Sequence, residues 1–427
     1  MSFLQISYSA VGILRKARGK LPILPCNLCK PLQLLSCWSI LVAESNIPDQ
    51  NRVLMKNHIH LLQLDLYFSN YKLAMLSFIT AFVFTLIAIP PIISLIRKYH
   101  LYDLPNARKE HSSPIPTMGG IAIVAGMMIS LFMWFPFSNN MAQLSFFFSV
   151  AVLFALGIMD DMRDLSAKYK FIVQTGLAAL IALSGIRITS FEGLFGIYEL
   201  PLSAQYTFTF LAIVGITNAF NLIDGIDGLA GGLGFMSLVI LGLFLTMNGD
   251  ANTALPAFAL AGGILAFLYF NFNPARIFMG DTGSLVLGFV VSVLCIRLMQ
   301  VNAVAANPVL PNASTFVLGV VLIPVFDTVR VFATRIWKGK SPFVADKTHI
   351  HHLLTNQGFS HGFAAKLICF IHGFVLLEVY WLRGLKQEIV LAILVAFMLV
   401  TTVLLKNVGL LMKKKSVSGS AMPATAD

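Results

Sequence analysis

Charge is what this sequence lacks: across 427 residues only 11% are Asp, Glu, Lys or Arg, against about 25% in ordinary soluble domains. With 57% hydrophobic residues and a mean hydropathy of +0.81, that scarcity excludes a soluble globular enzyme and leaves a polytopic membrane protein. The ten-residue alternating segments of an outer-membrane barrel are also missing, so the spans are helices. Cysteine is sparse: of five, Cys295 and Cys369 fall inside apolar runs and Cys26, Cys29 and Cys37 near the start, so no disulfide framework is implied. Cys26 and Cys29 have CxxC spacing, but no second ligand pair accompanies them. The formal charge of +11 comes from basic residues gathered in short loops. It therefore fixes membrane topology rather than marking a nucleic-acid partner.

What is present is a run of apolar segments. Residues 1–73 mix basic and polar residues with broken apolar stretches and read as an N-terminal extension, over-long at its start, outside the core. From there eleven candidate spans follow, at about 74–96, 119–137, 144–160, 170–186, 206–222, 229–247, 254–271, 284–301, 314–334, 363–382 and 388–411. The chain closes on a basic, then polar, tail over 413–427. Alternate loops carry Arg97, Lys98, Arg108 and Lys109; Arg163, Lys168 and Lys170; Arg276; Arg335, Lys338, Lys340 and Lys347; and Lys413 to Lys415. The positive-inside rule makes these loops cytoplasmic, with the first span starting outside and the C-terminus inside. The expected fold is all-α with about eleven transmembrane helices.

Against this apolar background the few carboxylates stand out, because an ionisable group at a helix centre costs roughly 2.5–3.5 kcal/mol on insertion scales. Four polar motifs fall on the predicted cytoplasmic side: 160–170, 221–228, 271–284 and 341–352. Asp160 and Asp161 end a span, with Asp164 one turn on. They suit a magnesium or phosphate-transfer site, since Mg²⁺ takes one or two carboxylates plus substrate phosphates. An acidic helix end paired with Arg163 or Lys168 would use the same residues. Lys170, opening the next span, is either a cation for a diphosphate or a topology anchor.

In 218–232 (NAFNLIDGIDGLAGG), Asp224 and Asp227 lie three apart, on one face of a helical turn, with Asn218 and Asn221 able to read a polar ligand. Helix capping, or the carboxylate relay of an ion-coupled secondary transporter, would account for this motif equally. Gly280-Asp281-Thr282-Gly283-Ser284 sits just before a span, where backbone N–H groups favour anions and Asp281 could hold a metal bridging phosphate. Phe278 could stack on a base or sit in an interfacial aromatic belt. His349, His351 and His352 share a loop with Asp346 and Lys347. With no cysteine near, zinc is disfavoured, and phosphate or sugar groups are the expected ligands, with Arg335, Lys338 and Lys340 adding positive charge.

On five stretches in register, 105–120 (PNARKEHSSPIPTMGG), 160–174, 218–232, 271–289 and 341–354, the chain resembles the polyprenyl-phosphate N-acetylhexosamine-1-phosphate transferases. The resemblance spans about 74–412. Ser112 to Gly120 and the His-Ile-His-His loop place it on the WecA and TagO side of that family rather than with the phospho-MurNAc-pentapeptide transferases. Thr117-Met118, where that side often has Arg before the hydrophobic residue, makes sugar choice the less secure inference.

The resemblance implies transfer of N-acetylglucosamine 1-phosphate from a UDP-N-acetylhexosamine to undecaprenyl phosphate in a bacterial plasma membrane, with release of UMP. It implies a magnesium cofactor (Mg2+, with manganese, Mn2+, as a substitute), held by Asp281 and one of Asp160 and Asp161. Asp160, Asp161 and Asp224 are its expected catalytic residues. Lys170, Asn218, Asn221, Asp227, Asn273, Phe278, Arg335, His349, His351 and His352 are expected to bind substrate. Membrane lipid is the other expected partner, and a homodimer is compatible with the reading.

Overall fold

The computed structural model describes residues 49–99, 102–103, 115–305, 307–341 and 348–419. Cys26, Cys29, Cys37, Arg108, Lys109, Asp346 and Lys347 lie outside them. The chain divides into units 1–69 and 70–427, and the larger one carries the helical bundle. The first elements are α1 (Asp49–Lys98), β1 (Tyr102–Asp103), β2 (Ile115–Pro116), α2 (Gly119–Trp134), α3 (Met141–Arg163) and α4 (Ala167–Leu183). Next come β3 (Ser190–Leu194), β4 (Ile197–Glu199), α5 (Leu202–Ile223), α6 (Leu229–Met247), α7 (Ala251–Asn271) and α8 (Gly280–Ala303). The last are α9 (Ala313–Val320), α10 (Leu322–Trp337), α11 (Ile350–Thr355), α12 (His361–Trp381), a 3₁₀ turn and α13 (Gln387–Gly419).

A helix stands at each of the eleven predicted places, but not all are full spans. Among the described residues eight helices are long and apolar enough to cross a bilayer. The predicted span 119–137 is the 16-residue α2 and 170–186 is the 17-residue α4, both short of the roughly 20 residues of a perpendicular crossing. The predicted span 314–334 is broken: α9 and α10 meet at 72°. The cause is local. In a continuous helix the Val320 carbonyl would accept from the N–H of residue 324, which is proline and has none. Ser237 Oγ on α6 donates to that carbonyl at 3.1 Å, and the buried His372 Nε2 on α12 lies 3.2 Å from the same hydroxyl. Non-helical backbone at membrane depth is tolerated where neighbouring side chains satisfy it in this way.

α8 is the centre of the bundle, packing against α2, α3, α5, α6, α7 and α9. Its most apolar 18-residue window is 89% buried, against 22% for α1 and 28% for α13, which lie at the periphery. Because lipid is as apolar as leucine, small residues rather than hydrophobicity bring such helices together. Gly157 of α3 lies against the backbone of Asp281 and Thr282, and Gly120 of α2 against that of Thr282 and Gly283, where a Cβ would collide. Two N–H groups at the start of α2, from Gly119 and Gly120, donate to the carbonyls of Phe278 and Met279 at 2.8 Å each. The Thr-Met-Gly-Gly stretch thus clamps the start of α8. Two short antiparallel pairs, β1–β2 and β3–β4, were not expected from sequence. They are too brief, at two to five residues per strand, to show a periodic signal.

Candidate active site

Each polar motif sits where a helix begins or ends. Asp160 and Asp161 close α3, which stops where Asp164 turns into the left-handed region (φ 51°). Ser166 caps α4 through its hydroxyl, so Lys170 lies in the first helical turn beyond the loop. Asn221 and Asp224 finish α5, Gly228 opens α6, Asn271 ends α7 and Asp281 starts α8. Hydrogen bonds join these ends into one site at one end of the bundle.

Lys170 Nζ is its hub, donating to Asp160 Oδ2 at 2.8 Å and to Asp281 Oδ2 at 2.9 Å. Asp281 Oδ1 accepts from Asn221 Nδ2 at 2.9 Å, and the same amide reaches Ser284 Oγ at 3.0 Å. Asp160 Oδ1 accepts from the Leu165 N–H at 2.7 Å, which pins the α3–α4 turn. Asp161 has a different task. Its carboxylate accepts from the N–H groups of Asp281 (2.7 Å) and Thr282 (3.1 Å) and from Thr282 Oγ1 (2.6 Å). The first turn of α8 has no local side-chain cap, so a carboxylate from another helix satisfies its orphan donors. Gly280, at φ 71°, leaves room for it, since a Cβ there would stand 2.5 Å from Asp161 Oδ2.

Asp224 has a half-buried carboxylate that receives no hydrogen bond from the described residues. Burial, then the charges of Asp281, Asp161 and Asp227, push it up to about 8. Four carboxylates thus share one bonded ammonium among the described residues, an imbalance that disfavours a fourth negative charge. No three His, Cys, Asp or Glu side chains among the described residues converge as a closed metal site. The donor set still suits a hard divalent ion, which commonly takes one or two carboxylates and completes its shell with water and phosphate. Asp224 offers free oxygens, and Asp281 is held beside Lys170 and Asn221.

Asp227 and Asn271 build the floor. Asp227 Oδ2 accepts from Asn273 Nδ2 and the Ala275 N–H at 3.1 Å each, while Asn271 links the Gly228 N–H to the Ile277 carbonyl at 2.8 Å each. Phe278 is half-buried, and its carbonyl serves the α2 clamp. Asn218 turns toward α4, donating to Gln174 Oε1 at 2.5 Å and to the Val214 carbonyl at 2.8 Å.

The three histidines, expected in a loop, instead start a short helix beside this floor: His349 stands at the N-cap of α11, and His351 and His352 lie within it. The rings of His351 and His352 lie 4.1 Å apart, and His349 is parallel to His351 at 5.9 Å. His351 packs on Gly225, where a Cβ would sit 2.6 Å from Nε2, so its ring lies one residue from Asp224. Burial, then His352 and His349, hold His351 down to about 3, so it meets any ligand as a neutral ring. Arg335 is buried on α10 with its guanidinium 5.9 Å from the Phe332 ring centre.

Sequence reading passed over Asp327 and Arg330, which hold this loop from α10. Asp327 Oδ2 lies 2.8 Å from His349 Nδ1, and Oδ1 accepts from the Ile350 N–H (2.9 Å) and Arg330 Nη2 (2.7 Å). The signal was available: an Asp and an Arg three apart inside a predicted span are costly unless used.

Residues 143–299 match the family model described as Glycosyl transferase family 4. Over 306 residues the chain is 35% identical to the "Probable undecaprenyl-phosphate N-acetylglucosaminyl 1-phosphate transferase" of Bacillus subtilis (strain 168), covering 70% of this chain and 83% of that protein. It is 33% identical over 297 residues to the "Undecaprenyl-phosphate alpha-N-acetylglucosaminyl 1-phosphate transferase" of Escherichia coli (strain K12), covering 68% and 78%. The Yersinia pestis protein of that name is 34% identical over 278 residues, covering 64% and 74%.

Proposed function

The chain belongs to the polyprenyl-phosphate N-acetylhexosamine-1-phosphate transferase family, and we propose that this multi-pass bacterial membrane protein transfers N-acetylglucosamine 1-phosphate from UDP-N-acetylglucosamine to undecaprenyl phosphate. The observation that carries the reading is the junction of Asp160, Lys170, Asn221 and Asp281, from four separate helices, beside an Asp224 carboxylate that receives no hydrogen bond from the described residues. Basic loops such as Arg97, Lys98, Arg163 and Lys168 support a cytoplasmic site open to soluble nucleotide sugar.

In the reaction an oxygen of the lipid phosphate attacks the β-phosphorus of the donor, the bond from that phosphorus to the bridging oxygen breaks, and UMP leaves. The second pKa of a phosphate monoester is about 6, so the nucleophile is ionised at neutral pH and needs little base catalysis. The problem is bringing two anions together, and positioning and electrostatics dominate such transfers. Lys170 holds Asp160 and Asp281 in place, and Asn221 fixes the other oxygen of Asp281. Asp161 acts as a positioning residue: by accepting from the N–H groups of Asp281 and Thr282 it keeps the start of α8 in register. Asp224 and Asp281, with Asp160 next to them, would hold Mg²⁺ or Mn²⁺. When bound, the ion supplies charge neutralisation on the donor diphosphate and on the departing UMP. Asp227 and Asn273 shape the floor of the nucleotide side, and His349, His351 and His352 cover it.

Purified protein given undecaprenyl phosphate, Mg²⁺ and a panel of UDP-sugars is expected to release UMP, fastest from UDP-N-acetylglucosamine. Release of UDP in place of UMP, or no nucleotide from any UDP-N-acetylhexosamine, would contradict the proposal.

A further inference from the structure

α10 is the second half of the broken span, and it carries a buried Asp327 and a half-buried Arg330 with no role in the junction described above. Asp327 is 1% exposed and spends both carboxylate oxygens on the histidine loop: Oδ2 on His349 Nδ1 at 2.8 Å, and Oδ1 on the Ile350 N–H at 2.9 Å. Arg330, one turn on, bonds Asp327 Oδ1 at 2.7 Å and the Thr348 carbonyl at 2.5 Å with the same Nη2. The three residues 348–350 are thus all tied to α10. A loop needing only an anchor would be held by the two backbone bonds. The third bond, to the ring nitrogen, does something the others cannot.

A carboxylate only accepts, so His349 Nδ1 must carry the hydrogen between them, and Nε2 is directed away from α10. The ring then lies parallel to His351, which rests on Gly225 beside Asp224. We propose that Asp327 is a positioning residue for donor binding: it fixes the tautomer and orientation of His349 so that Nε2 is the nitrogen presented to the sugar nucleotide. The inference rests on the transferase reading for the identity of the donor, but not for the geometry. An asparagine at 327 could donate as well as accept, which frees the ring to take the other tautomer, as when a carboxylate orienting a catalytic histidine becomes an amide.

Two measurements test it. In protein carrying ¹⁵N-labelled histidine, with His349→Ala used to assign the signal, wild-type His349 is expected to show Nδ1 protonated. An Nε2-only protonated signal would overturn the proposal without any activity assay or any Asp327 variant. In steady-state kinetics, Asp327→Asn is expected to raise KM for UDP-N-acetylglucosamine about tenfold or more while KM for undecaprenyl phosphate stays within about twofold. The double variant Asp327→Asn/His349→Ala should then be no worse than His349→Ala alone. Equal effects on both KM values, or additive losses in the double variant, would assign Asp327 a general structural role instead. Failure of wild-type protein to release UMP would overturn the function proposed above and leave the tautomer measurement standing.

Discussion

At one end of the bundle Glu192, Ser314 and Gln387 form a polar cluster, and at the other Asp160, Asp161, Asp224 and Asp281 form a second; they differ in how donors balance acceptors. Glu192 Oε2 accepts from the Ser314 N–H (2.7 Å), the Glu192 carbonyl accepts from Gln387 Nε2 (2.7 Å), and the one Ser314 O–H is shared between Gln387 Oε1 (2.8 Å) and Glu192 Oε2 (3.0 Å). Glu388 adds a bond to the Phe195 N–H at 2.8 Å, so the β3–β4 hairpin is strapped to the starts of α9 and α13. Each member of this cluster is thus bonded to another member. At the other end acceptors outnumber donors, and the surplus gathers on Asp224. A cluster whose members bond one another and join chain segments fixes structure, whereas one with a carboxylate left over beside a single bonded cation is built to take something in.

The largest expected difference comes from Asp281→Asn. It should lower UMP release by about a thousandfold or more, comparable to losing a main electrostatic contributor to a transition state, while detergent-stable fold and melting temperature stay close to wild type. Near-normal turnover would move the metal role away from Asp281. The reverse pattern should follow at the opposite end. Glu192→Ala strands the Ser314 N–H and should cost about 1–3 kcal/mol of stability, read as a lower melting temperature, with UMP release per folded molecule unchanged. A loss of turnover there would break the contrast.

A smaller effect concerns pH. The folded Asp224 carboxyl, at about 8, holds a proton that the unfolded chain, with the usual 3.8, has lost. Its contribution to stability is therefore full below 3.8 and disappears as pH rises through about 8. Function runs the other way, because the ionised form is the one that can meet a cation. At limiting Mg²⁺, UMP release should rise roughly tenfold from pH 7 to pH 9 as Asp224 ionises, flatten at saturating Mg²⁺, and lose this dependence in Asp224→Asn. A flat profile at limiting cation would take Asp224 out of the cation site.

Much of this arrangement is legible in the sequence. Long apolar runs announce helices because hydropathy is a local property, and carboxylates at their ends announced Asp160, Asp224 and Asp281 because charge next to lipid needs a use. What stayed hidden depends on partners distant in sequence. Asp161 reads like its neighbour Asp160, yet it caps a helix 120 residues away. Asn218 reads like Asn221 but bonds Gln174 instead of the carboxylates. The bend between α9 and α10 was half-visible in Pro324, and its other half is the Ser237 hydroxyl on a different helix. Asp327 was read as part of an apolar span because a window average dilutes one charge among many aliphatic residues.

The most direct test of the account follows the phosphorus. Protein supplied with UDP-N-acetylglucosamine labelled at the β-phosphate, undecaprenyl phosphate and Mg²⁺ should move the label into lipid together with the sugar and leave unlabelled UMP, and the Asp281→Asn variant should not. Label remaining on released UDP, or lipid labelling undiminished in that variant, would contradict it.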